Sequence, residues 1–382
     1  MDTYRIGARH AFSPGSILLA SFILQDSHIR TENNQPTDPL FISESSKSNP
    51  SSTEEEAQHL FRSQYFDLTT GAGYVDIKSN VKFYAQTIFG PAFQKTDLDL
   101  RHTNVYGYSY IKPLNNLTFS LGASGDWTRG DDPTASHKEE FNPKFGVVWN
   151  PIPSTTFRAA AFRVFKRTLI TNQTLEPTQV AGFNQFFDDV NGTTAWTYAG
   201  AIDQKFPKDL FGGVEFSRRD LDVPTLTGIN QSTEVNWEDY LARTYLFWTP
   251  HPWLALRAEY QYEHIKRDSE QTNGVRKMDT HRVPFGFNFF HPCGLSASAT
   301  ATYIHQDGRF DYVVFPYTTD QKGSDDFFTV DAAITYRIPK RHGFLTVGVN
   351  NLTDENFKYF NTDFNNPGGL QPDRVNMIVL FA

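Results

Sequence analysis

Between Leu254 and Arg267 the chain reads LALRAEYQYEHIKR, and Arg257, Glu259, Gln261 and Glu263 fall at every second position. Alternate residues of an extended strand share a face. These four therefore form a candidate ladder that can pair ions, touch a partner domain or guide a polar solute; a solvated wall is the simpler reading. The other residues with chemical potential are dispersed. None of the eleven histidines has a second ligand at a metal-binding spacing, and His251 and His291 fall in short turns. The Asp pairs at 131–132, 188–189 and 325–326 sit in or beside loops, where Asp serves turn geometry. Cys293 is the only cysteine, which excludes an intrachain disulfide and a cysteine metal cluster. No Ser–His–Asp set can be assembled from spacing alone. No catalytic residue, metal site or cofactor is therefore assigned. The connection 168–193 is rich in aromatics and amides, with Phe183, Phe186 and Phe187 close together. Exposed, such a cluster binds ligands; folded down, it packs its own loop.

The face opposite the ladder is greasy: Leu254, Leu256, Ala258, Tyr260 and Tyr262. The pattern recurs. Leu117, Phe119, Leu121, Ala123 and Trp127 oppose Thr118, Ser120, Ser124, Asp126 and Thr128; Leu295, Ala297, Ala299, Ala301 and Tyr303 oppose Ser296, Ser298, Thr300 and Thr302. From Phe328 to Ile338 the same alternation returns. Each run is about ten residues or longer, the length a tilted strand needs to cross a bilayer, whereas globular strands are usually about five or six.

Composition agrees. The 382 residues are 39% hydrophobic yet 15% aromatic, with 34 Phe and 17 Tyr. Low mean hydropathy with many aromatics suits a membrane barrel, in which only alternate residues meet lipid and aromatic girdles mark both interfaces. No apolar run is long enough for a transmembrane helix. A net charge of −8 and the absence of a basic stripe exclude a nucleic-acid surface.

Short turn-rich links at 12–16, 112–116, 150–154, 207–209, 250–252, 291–294 and 339–342 alternate with long polar links. The latter cover 31–53, 78–97, 168–193, 307–324 and 356–373, with shorter ones near 129–139, 223–234 and 268–276. Such sorting is expected when one rim is periplasmic and the other extracellular. The expected fold is all-β, a transmembrane antiparallel β-barrel with about 16–17 strands in this chain. A count of seventeen makes the first and last strands run the same way, although single-chain bacterial barrels use even numbers. The opening MDTYRIGARHAFSPGS lacks the charged, apolar and small-residue regions of a signal peptide. The expectation is a chain that lacks its N-terminal part.

The end of the chain carries a resemblance. LTVGVNNLTDENFKYFN (345–361), followed by a loop and the terminal RVNMIVLFA, resembles the closing hairpin of TonB-dependent outer-membrane receptors. Val349, Asn351, Leu352, Asp354 and Phe357 occupy that family's pattern, with Thr353 where it often has Phe. Residues 174–206 resemble its "L.PE" approach to a descending strand, with an inserted FNQFFDDVNG, and 58–74 resemble a further hairpin. The resemblance implies a 22-stranded barrel in the Gram-negative outer membrane, of which residues 1–382 are the barrel domain without plug, coupling box or signal peptide. It implies uptake of a scarce solute, with the TonB complex engaged only through the missing N-terminal region. It also implies lipid and the barrel-assembly machinery as partners, the latter reading Val375, Met377, Val379 and Phe381. A passive or export barrel, for example in polysaccharide secretion, is the alternative; a soluble binding module and an outer-membrane enzyme rank below both.

Overall fold

The computed structural model describes residues 1–33, 41–170, 173–228, 231–268, 274–314, 317–359 and 376–381. Strands β1 (Asp2–Ser13), β2 (Ser16–Asp26), β3 (Ile29–Asn33), β4 (Phe41–Arg62), β5 (Phe66–Thr87), β6 (Gly90–Leu114), β7 (Leu117–Gly130), β8 (Glu139–Ile152) and β9 (Thr155–Phe165) form the first half of one sheet. A small hairpin of β10 (Gln179–Val180) and β11 (Phe183–Asn184) lies in the following connection. The sheet resumes with β12 (Thr194–Phe206), β13 (Leu210–Gly228), β14 (Gln231–His251), β15 (Leu254–Arg267), β16 (Gly274–Phe290), β17 (Leu295–Val314), β18 (Tyr317–Arg337), β19 (Phe344–Asn350) and β20 (Asn376–Phe381). Among the described residues every pairing is antiparallel and joins neighbours in sequence, except that β2 pairs β4 past β3 and β9 pairs β12 across the long connection. Among the described residues the sheet counts eighteen strands. Because β2 and β3 both lie along β4 as one interrupted row, there are seventeen rows.

The faces are inverted relative to a water-soluble sheet. In β7, Phe119, Leu121 and Trp127 are 40–45% exposed while Ser120, Ser124, Asp126 and Thr128 are 3–6% exposed. Polar side chains bury themselves only where other polar groups meet them. An apolar outer face of this extent is stable only in hydrocarbon. At the short-turn rim the outer face turns aromatic: Phe61 against Phe66, Trp149 stacked on Phe157, and Trp253 between His251 and His291. Such rings sit at the membrane–water boundary. This is a transmembrane antiparallel β-barrel.

At several of the expected long polar links the structure has strand, whereas 131–138 is a loop between β7 and β8 as expected. β4 and β5 run 22 residues each and β6 runs 25, so 41–53 and 78–97 are largely a continuous ladder with a two-residue tip at Ile88–Phe89. The described residues of 223–234 and 307–324 are likewise strand. The reason is physical. Beyond the bilayer both faces meet water, so the apolar–polar alternation fades while the backbone pairing continues. The described residues of 168–193 carry only the short β10–β11 hairpin.

β1 pairs only with β2, and β20 only with β19, among the described residues. Counting rows, β1 and β20 both run toward the short-turn rim.

Candidate functional site

The connection between β9 and β12 folds onto the concave face of the sheet rather than outward. Its ends are zipped: Gly192 N donates to Lys166 O at 2.8 Å and Lys166 N to Thr193 O at 2.7 Å. Its tip is the β10–β11 hairpin, whose two turn residues, Ala181 and Gly182, both have positive φ. Two such residues make the mirror-image turn that matches strand twist. A Cβ on Gly182 would also meet Arg158 Nη1 at 2.8 Å.

From this loop contacts radiate across the barrel. Arg167 is buried between two carboxylates, 3.0 Å from Glu176 and 3.8 Å from Glu56 of β4. Glu56 also accepts from Thr174 Oγ1 and Leu175 N, both at 2.6 Å, and Glu54 accepts from Ile170 N at 3.0 Å. Tyr108 of β6 donates to Glu176 at 2.5 Å and accepts from Gln185 Nε2 at 3.0 Å. Arg5 of β1 donates to Gln173 at 2.7 Å. Burial pulls the Arg167 guanidinium toward neutrality, but the charges of Glu176, Asp126, Glu56 and Glu54 outweigh it and hold its proton more firmly than usual. A second network backs the first: Asp126 accepts from Asn142 Nδ2 at 2.8 Å and lies 2.9 Å from His102 Nε2. Apolar packing completes the seat, with Val180, Ala181 and Phe183 against Phe162, Val164, Leu221 and Val223.

The three loop phenylalanines are placed against arginines of the loop and wall. Phe183 is buried under Arg158, Phe186 lies beneath Arg167 at 5.7 Å, and Phe187 beneath Arg219 at 3.8 Å. The ladder of β15 is also engaged. Arg257 donates to Thr300 Oγ1 at 2.9 Å, Glu259 pairs with Arg243 at 2.8 Å, and Gln261 donates to Glu259 at 3.3 Å. Glu263, with no such bond among the described residues, lines a pocket of about 430 Å³. Val375 lies outside the described residues. Met377, Val379 and Phe381 stand at alternate positions of β20, opposite Val349, Val347 and Leu345.

The pocket lies between loop and wall in the half nearer the long-loop rim. Phe187 and Asp189 come from the loop, Arg219 from β13, Trp237 and Asp239 from β14, Glu263 and Arg267 from β15, and Tyr359 from the segment after β19. Arg219 is neutralised by Asp189 and by Asp239, the latter at 3.3 Å. Arg267 lies 3.9 Å over the Trp237 ring, and among the described residues it makes no ion pair. Burial, with help from Glu263, raises the Tyr359 phenol, so it remains a hydrogen-bond donor. Among the described residues, no group of three or more His, Cys, Asp or Glu could hold a metal ion.

Sequence reasoning missed Arg167, Glu176 and Asp239. The buried polar alternation Glu54, Glu56, Gln58 in β4 was a usable signal for the wall side of the cluster. Its loop partners lie more than a hundred residues away, beyond any local pattern.

The comparisons agree with this architecture. The family model described as "TonB dependent receptor-like, beta-barrel" matches residues 1–210. No match was found among curated proteins. The ferripyoverdine receptor of the Pseudomonas aeruginosa outer membrane is similar at TM-score 0.69 and 15% identity, covering 99% of this chain and 55% of that one. The ferric-catecholate import receptor Fiu of Escherichia coli K12 is similar at 0.62 and 11%, covering 99% and 63%. The siderophore receptor PiuA of Acinetobacter baumannii is similar at 0.62 and 12%, covering 93% and 60%. The chain thus spans less than two thirds of these solved chains, and at such identities the likeness is one of fold. The family match covers more than half of the sequence: the chain belongs to the TonB-dependent receptor-like β-barrel family.

Proposed function

We propose that this barrel is the wall of an uptake receptor that captures a scarce solute at the long-loop rim, with TonB supplying the energy in the full-length protein. The observation that carries the reading is the interior: a polar, ion-paired wall with a loop folded across it and a pocket facing the outer rim. The names of the matched structures suggest a metal chelate as the solute class. Residues 1–382 are read as the barrel domain of a longer receptor, within a 22-stranded wall. Two edge strands running the same way, and the greater length of the matched chains, support that reading. TonB engages through a plug-bearing region, and Val375, Met377, Val379 and Phe381 are the signal for barrel assembly. The alternative, a passive or export barrel, is separated by one measurement. Cells carrying the full-length gene are grown with and without a functional TonB, and depletion of solutes from the medium is followed. Depletion that requires TonB is expected. Depletion that is indifferent to TonB would move the passive barrel ahead.

A further inference from the structure

Among the described residues, four buried polar atoms at the pocket between loop and wall have no hydrogen-bond partner: Arg219 Nε, Trp237 Nε1, Arg267 Nε and Asp239 Oδ1. Buried donors and acceptors are normally paired, because an unpaired one has lost its water and gained nothing. Several in one cavity point to a group that arrives from outside. Trp237, at 6% exposure, has its indole N–H unused, and its ring face carries the Arg267 guanidinium. Stacked in that way, a guanidinium keeps its in-plane N–H fork free for a carboxylate. Farther down the same face of β15, Glu263 also lacks a hydrogen bond or ion pair among the described residues. Its Cα lies roughly 13 Å from that of Arg267, four residues at about 3.3 Å each.

The charges of the lining decide the ligand class. Among the described residues Arg219 is already matched by Asp189 and Asp239 and the charge of Arg282 acts on Glu263, which leaves Arg267 as the lining cation without an ion pair, against Glu263, Asp188 and the remaining capacity of Asp239. A simple anion would find more negative than positive charge around it. A simple cation would leave the Arg267 fork empty. We propose that this pocket binds an elongated zwitterion, its carboxylate on the Arg267 and Trp237 donors and its cationic end on Glu263. At about 430 Å³ the cavity is within the range of small-molecule sites. Phe187 and Tyr359 are among the residues that line it.

This goes beyond the uptake reading, since binding in detergent requires neither TonB nor transport. The test is calorimetric titration of the full-length protein, purified in detergent micelles, with 6-aminohexanoate, hexanoate and hexylamine. The expected order places 6-aminohexanoate at least tenfold tighter than either singly charged probe. Arg267→Gln is expected to abolish the preference over hexylamine, and Glu263→Gln the preference over hexanoate. Heat-dependent gel mobility checks that each variant is folded. Three probes binding alike, or none binding to the unsubstituted protein, would overturn the assignment, and those outcomes do not depend on any variant. Energised uptake that survives such a result would leave the receptor reading intact while removing this site.

Discussion

Leu121 and Ser120 are neighbours in sequence and opposites in environment: the leucine is 44% exposed and the serine 6%. In water this would be an error of design; in lipid it is the rule. Leu121→Arg is therefore expected to cost roughly 2–4 kcal/mol, whereas Ser120→Ala costs under about 1 kcal/mol. Urea titration of the full-length protein in lipid vesicles reads the difference, and equal costs would contradict the assignment of faces. The residue scale also shows where the sequence misleads. Glu259 belongs to a ladder whose simpler reading was a solvated wall, yet its side chain is 8% exposed and holds Arg243. Polarity in the sequence reports a polar environment, not an open one, and it says nothing of the partner.

At the scale of elements, the strands were legible because their period-two pattern is written locally. The loop was not. Phe183, Phe186 and Phe187 announce an aromatic cluster, but their arginine partners on β9 and β13 and within the loop itself are set by closure of the sheet. The Arg167 cluster is the loop's anchor. Arg167→Met leaves Glu56 and Glu176 buried and uncompensated, a loss expected to cost about 3–5 kcal/mol. Chymotrypsin cleavage at Phe186–Phe187 in the intact protein should then accelerate. Unchanged cleavage would mean that apolar packing of Val180 and Phe183 alone seats the loop.

At the scale of the whole molecule, the family places the barrel in the Gram-negative outer membrane, and its fold is that of receptors and transporters. Orientation follows from the two rims. Cys293 is exposed at the short-turn rim, so a membrane-impermeant maleimide should fail to label it on intact cells expressing the full-length protein and succeed after lysis. In a Cys293→Ser background, Phe89→Cys, at the tip of the β5–β6 hairpin, should label on intact cells. Phe89 is 86% exposed there. The reverse pattern would turn the barrel upside down. What the sequence could not show at this scale was the reach of the hairpins, because a ladder in water needs no apolar face.

The β5–β6 hairpin is paired residue for residue from Phe66↔Ile111 to Thr87↔Gly90 without a register shift. Because side chains alternate, losing one residue from one arm would exchange inside for outside along the rest of that arm. Losing one from each arm, opposite each other near the tip, leaves every remaining pair in place. The height of this hairpin above the membrane is therefore heritable in matched pairs of residues. Related chains should differ there by even numbers, while the lipid-embedded pairs below keep their partners.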